Sequence, residues 1–245
     1  MSLLASDALI LRTWPVNEAD LVVSFFTRDY GKVKGVAKAA LKSRKRFGGS
    51  LEAMTFARAF FVERPRQELV RLDQLELLRS PLSGTVDYAR MAVLSFYAEV
   101  LEECLPEHDP QETVFRLMLA VLEQTTAAQP WMPLTYFSLW MTRLMGWLPD
   151  LAGCTLCGDR FAPGEASFHP QADGLFCPRH RQGTGGLLTP DSWVLAQRIL
   201  REPVTAFTAE NWPRRRAQDL RRFTQQSLER HLERRLKAAE ALNRL

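Results

Sequence analysis

Over the first eighty residues the apolar positions fall in short runs set between turn signals: 8–12, 21–26, 32–36, 56–62 and 69–77. Runs of this length, rich in Val, Ile and Phe, predict five strands, and five strands in so short a stretch predict a small barrel. Asp29-Tyr30-Gly31-Lys32 supplies a turn between the second and third, and Gly48-Gly49 interrupts the long connection from third to fourth.

From residue 84 the apolar period becomes helical. Met91, Leu94, Ala98, Leu101 and Leu105 form a stripe over 85–105 that includes Cys104, read as buried filler, and Pro106 to Pro110 ends it. A second helix follows, with Asp109 as expected N-cap, Pro110 at its first position and Val114, Leu117, Met118, Val121 and Leu122 inward. A third, Met132 to Met145, turns Phe137, Trp140, Met141 and Leu144 to the core and stops at Gly146. Thr189-Pro190-Asp191 caps a short helix to Leu200. One long terminal helix is then expected from Asn211-Trp212-Pro213 onward, with Leu220, Phe223, Leu228, Leu232, Leu236 and Ala239 inside and an arginine face outside that is either solvated or an extra nucleic-acid path. The expected fold class is α+β: an OB-like five-stranded barrel over 1–80, then an α-helical domain over 81–245 carrying an inserted zinc knuckle.

Charge is uneven along the 245 residues. Residues 1–80 hold 14 Lys/Arg against 9 Asp/Glu, residues 81–150 hold 3 against 9, residues 151–190 balance, and residues 191–245 hold 12 against 7. Two basic ends around an acidic middle point to an anionic polymer as ligand. The sharpest concentration is Lys32, Lys34, Lys38, Lys42, Arg44, Lys45 and Arg46, seven cations in fifteen residues with no acid. Phe47, next in line, is either core or a platform for a nucleobase, and Gly48-Gly49 would admit a phosphate backbone. The N-terminus lacks a signal-peptide pattern and no segment has the length of apolar residues a membrane span requires, so a cytoplasmic protein is expected, at the nucleoid if it binds DNA.

Cys154-x-x-Cys157 and Cys177-x-x-His180, with nineteen residues between the pairs, have the spacing of a four-ligand zinc site. Gly158 suits the tight turn after the first pair. A redox dithiol at Cys154 and Cys157 would leave Cys177 and His180 without a role, and a catalytic zinc would keep an open position, so a structural Zn2+ is expected. His169 is the alternative fourth ligand, although it does not reproduce the two-residue gap.

Leu9-Ile10-Leu11-Arg12-Thr13, Glu18-Ala19-Asp20, Thr27 to Lys32, Ala37-Lys38-Ala39-Ala40 and Arg46-Phe47-Gly48-Gly49-Ser50-Leu51 resemble, in order and spacing, the opening of the bacterial RecO recombination-repair family. The resemblance implies a mediator that is not an enzyme. It would bind single- and double-stranded DNA, anneal complementary strands, contact single-stranded DNA-binding protein, and act with RecR to load RecA onto coated strands. Arg12, Lys34, Lys38, Lys42, Arg44, Lys45 and Arg46 are the expected DNA-binding residues. Arg116 and Arg143 are expected to rim a groove between the second and third helices for the acidic, apolar tail of single-stranded DNA-binding protein. His180 departs from a plain four-cysteine knuckle.

Two other classes set the alternatives. An enzyme finds no phosphate-binding loop here, and His108 and His231 read as surface residues. An OB-fold RNA- or ribosome-binding factor with structural zinc is the stronger rival, because a positive barrel does not itself distinguish RNA from DNA.

Overall fold

A computed structural model describes residues 2–63, 67–162, 164–181, 183 and 185–245. Strands β1 (Leu3–Pro15), β2 (Leu21–Thr27), β3 (Gly31–Ala37), β4 (Phe56–Val62) and β5 (Val70–Arg79) form a barrel in the order β1-β2-β3-β5-β4. It closes because β1 pairs antiparallel with both β2 and β4, while β3 and β5 run parallel. β1 exceeds the apolar run at 8–12 because its first half pairs with β4 and its second half with β2. Polar residues extend a strand wherever one neighbour supplies ladder bonds, here β4 to the first half and β2 to the second.

Ile10, Val23, Phe25, Val33, Ala57, Phe61 and Leu72 fill the barrel interior, with Phe25 edge-on to Phe61 at 5.5 Å. The outer face of β2 is buried as well: Phe26 meets Phe115 at 5.3 Å. That second burial explains why β2 reads as a continuous apolar run and not as an alternation. The covering elements are α2 (Tyr88–Cys104), α3 (Glu112–Gln124) and α7 (Lys237–Asn243), with α2 lying on β1 and α7 on α2. Gly31, at φ +69°, sits where any Cβ would meet the Asp109 backbone at 2.4–2.5 Å, so the turn and the chain leading into α3 pack directly.

The chain forms two compact units. One compact unit comprises Met1–Arg116 with Leu236–Leu245, the other Leu117–Arg235. The second contains α4 (Trp131–Leu144), α5 (Pro190–Ile199), α6 (Gln218–His231) and a three-stranded sheet, β7 (Ala172–Phe176), β6 (Ser167–His169), β8 (Gly186–Leu187). Its core joins Phe137 and Met141 of α4 to Leu220, Phe223 and Leu228 of α6, and Phe168 packs on Phe223 at 5.4 Å.

Three local expectations are corrected. Asp109 does not cap α3, which starts at Glu112; its carboxylate instead accepts from Gln111 Nε2 at 2.8 Å. Asp87 caps α2, accepting from Arg90 N at 2.6 Å, so that helix begins later than Thr85. The long terminal helix is two helices, α6 and α7, separated at 232–236 where Glu233 adopts φ +53°. Glu99 of α2 caps the second of them, its two oxygens accepting from Lys237 N and Ala238 N at 2.9 and 2.7 Å. Thr189 caps α5 as its sequence predicts, accepting from Ser192 N.

Candidate nucleic-acid interface and metal centre

The basic run divides into two groups with different surroundings. Lys38, Lys42, Arg44, Lys45 and Arg46 lie in the connection after β3, whose single helical turn is α1 (Arg44–Phe47). Its backbone is tied to the 17–20 turn: Asp20 Oδ1 accepts from Ala39 N at 2.7 Å, and Ala19 O accepts from Leu41 N at 3.1 Å. The bond from Ala39, then that from Asn17, holds the Asp20 carboxyl below its ordinary value. Phe47 anchors the other end in the barrel core, 1 % exposed, so it is core and not a base platform. Arg46 supports the loop internally, donating to Lys38 O at 2.6 Å and Ser43 Oγ at 3.1 Å. Lys42, Arg44 and Lys45 are exposed, and among the described residues none of their side chains has a hydrogen-bond or ion-pair partner.

The second group stands on the barrel's outer face. Arg12 and Lys34 flank Ser24 in one row across β1, β2 and β3. Acidic groups meet this row: Ser24 Oγ donates to Glu102 at 2.5 Å and Lys34 Nζ pairs with Glu107 at 2.5 Å. Lys32 is buried with its ammonium on the Glu102 carbonyl. Lys34 is thus paired with an acid and Lys32 occupied by a backbone carbonyl at the end of α2, while Arg12 lies over Trp14 at 5.0 Å from the ring centre.

The terminal arginines do not form one solvated face. Arg221 is half-buried, donating to Thr135 Oγ1 and Arg216 O at 2.8 Å each, and desolvation brings its guanidinium down to about 10. Arg216 pairs with Glu210 and Arg230 with Asp173. Arg116 is exposed on α3 in the first unit. Arg143 lies in the second, where it lines a groove of about 700 Å3 with Leu148, Leu151, Leu200 and Arg201. The groove at Arg143 is therefore built from the end of α4, the third of the expected helices, with the end of α5 and the 148–152 loop, and the second expected helix with Arg116 does not line it. The reason is the turn at Gly146, which brings Trp147 back to bond Thr142 and lays the following loop beside α5.

Cys154, Cys157, Cys177 and His180 converge, their ligand atoms all within 4.8 Å of one another. Two turns carry them. In the first, Gly158 N donates to Cys154 O at 2.8 Å with Gly158 at φ +74°; in the second, Cys177 precedes one turn of 3-10 helix, Pro178–His180. Cys157 Sγ lies 3.9 Å from Cys177 Sγ, and His180 Nδ1 lies 3.4 and 3.6 Å from Cys177 and Cys154 Sγ. A tetrahedral ion with metal–sulfur bonds of about 2.3 Å and metal–nitrogen bonds of about 2.0–2.1 Å sets these separations near ~3.8 and ~3.5 Å, so the four residues fit a metal ion. The sulfur–sulfur distance is far from a disulfide's. His169 is not a member: it lies on β6, where its Nδ1 accepts from Gln171 N at 3.2 Å.

The same geometry is electrostatically unbalanced without a cation. Burial works to raise the Cys154 thiol, but the backbone N–H groups of Cys177, Cys157 and Leu156 outweigh it and bring the thiol down to about 6. At Cys157 the Asp159 N–H lowers the thiol, while burial and the neighbouring Cys154 and Cys177 sulfurs prevail and raise it to about 11. Three thiolates in one shell repel; a dication removes the conflict and displaces the protons. Cys104, by contrast, is driven by burial up to about 12, which makes it an inert thiol.

The family model described as Recombination protein O N terminal matches residues 1–81, and Recombination protein O C terminal matches residues 86–240. The chain belongs to the RecO family. The DNA repair protein RecO of Koribacter versatilis (strain Ellin345) is 50 % identical over 240 residues, covering 98 % of each chain. That of Anaeromyxobacter sp. (strain K) is 33 % identical over 238 residues, 88 % of this chain and 93 % of that one. The RecO of Symbiobacterium thermophilum is 30 % identical over 194 residues, 76 % and 75 % of the two. Within this family frame the anchored basic loop lies in the N-terminal region and the Cys/His cluster in the C-terminal one. Among the described residues no helix is long and apolar enough to cross a membrane.

Proposed function

We propose that this chain acts in DNA repair and recombination as a mediator without bond chemistry. It binds single- and double-stranded DNA, anneals complementary strands and, with RecR, helps load RecA onto strands coated by single-stranded DNA-binding protein. The observation that carries the reading is the group Lys42, Arg44 and Lys45: exposed, unpaired among the described residues, and held on a loop tied down at both ends, in a chain of a DNA-repair family. Cations fixed in place before binding lose little freedom on meeting phosphates, and they relieve the repulsion between two backbones while base pairing itself reads the sequence. Zinc in the Cys154, Cys157, Cys177 and His180 site would serve as a cross-link between the two turns. The groove at Arg143, with apolar Leu148, Leu151 and Leu200 and a second cation in Arg201, suits the acidic, apolar tail of single-stranded DNA-binding protein.

The decisive measurement is the affinity of Lys42→Glu/Arg44→Glu/Lys45→Glu for single-stranded DNA across a salt series. Each lost phosphate contact removes about 0.7 from the log–log slope, so the triple variant should flatten it by about 2. Unchanged affinity and slope in a variant with unchanged circular dichroism would reject this loop as the interface. An RNA strand of the same sequence binding more tightly than the DNA would favour an RNA-binding factor instead.

A further inference from the structure

Beneath the basic loop the barrel rim encloses a cavity of about 380 Å3. Leu21 and Phe47, both nearly inaccessible, line it together with Leu41 and Leu51. Leu41 is 59 % exposed although it stands between Ala40 of the barrel core and Lys42. Arg44 and Glu52 belong to the same lining, with the hydroxyls of Thr13 and Ser43. A cleft whose lining combines leucines and an aromatic ring with a cation and polar groups fits a ligand that has an apolar ring with polar edges in one part and an anion in another. Its size is that of ordinary small-ligand sites.

We infer that this cavity is a nucleobase pocket that takes one base of a single strand out of its stack. This rests on the nucleic-acid reading of the basic loop and deepens it. The base lies between Leu41 and Leu51, Arg44 meets its phosphate, and the Glu52 carboxylate accepts from an exocyclic amino group. A paired, stacked base cannot enter, so the pocket selects single strands, while Lys42 and Lys45 hold any phosphate backbone. Unstacking a base before two strands meet also removes self-structure that would slow their pairing.

The test uses otherwise identical single strands carrying 2-aminopurine at successive positions, whose emission rises when the base leaves its stack. Saturating full-length protein should brighten at least one position about two-fold or more, and Leu41→Ser, at a site already open to solvent, should abolish the rise and weaken single-strand affinity about ten-fold. Leu51→Trp, which fills the cavity, should do the same, and duplex affinity should hold in both variants. Strand binding with no brightening anywhere would overturn the pocket and leave the interface standing. A rise that persists in both variants would place the base elsewhere and also overturn it. Absence of strand binding would remove the interface and the pocket together.

Discussion

Phe47 turns a run of charges into a presented surface. Buried at one end of the loop, with Asp20 holding the other, it fixes a segment that its five cations alone would leave to spread apart. Phe47→Ala should lower unfolding stability by about 3–5 kcal/mol in a urea titration, as for other large aromatic truncations; an exposed stacking residue would show almost no loss. Lys34 belongs to a different group. Its bond to Glu107 holds that carboxyl below its ordinary value of 4.5 and raises the lysine. A depressed carboxyl contributes stability that is present above its unfolded value and is lost as pH falls through the lowered one. Glu107→Gln should therefore lower stability slightly at neutral pH, where that contribution is present, and leave it unchanged at low pH, so that the acid limb below about pH 4.5 flattens, as followed by the urea midpoint; the loss is small because the pair is partly exposed.

Among the elements, the two ligand-bearing turns are joined by bonds of their own, Thr155 N donating to Leu175 O at 2.9 Å and Leu175 N to Thr155 Oγ1 at 3.2 Å. The exposed Cys157 has its sulfur in the ligand set that adds to this pairing. Cys157→Ser should lose the metal measured by elemental analysis and lower the melting temperature. His180→Ala should weaken binding and His169→Ala should not, since only His180 reaches the sulfurs. At the other end of the chain α7 is a helix of seven residues, too short to stand alone. It is held by Glu99 at its N-terminus and by Ala239 and Leu242 against the first unit. Glu99→Ala should cost about 1 kcal/mol, the usual value of a lost cap, and should raise amide exchange over 237–243 before the barrel responds.

For the whole molecule, the scarcity of cations between residues 81 and 150 makes Arg143 informative. The chain should accelerate annealing of complementary strands without ATP, and should still do so when they are coated by single-stranded DNA-binding protein. Arg143→Ala and Arg116→Ala separate two locations: only Arg143 borders the groove with Arg201. Arg143→Ala should slow annealing of coated strands several-fold and leave naked strands unaffected, whereas Arg116→Ala should leave both rates near wild type. Equal loss on both substrates for Arg143→Ala would assign that residue to folding or DNA.

By itself the sequence determined the five barrel strands, the helices up to residue 200 to within a few residues, the thiol and imidazole spacing and the basic run, because each depends on neighbours within about one turn or one hairpin. Only tertiary structure decided which cations remain available. Lys32 and Lys34 precede Lys38 by a few residues, yet the strand places them on the face that meets Glu102 and Glu107, 70 and 73 residues away from them in the chain. The break before α7 was likewise invisible, since residues 232–239 keep a helical apolar period and the competing cap comes from Glu99 of a distant helix. For the fourth ligand the two-residue gap already favoured His180 over His169, and the path of β6 and β7 carries that imidazole into the sulfur cluster and leaves the other outside it. Charge pairing and capping across long separations are set by the packing of the fold, and local pattern holds no record of them.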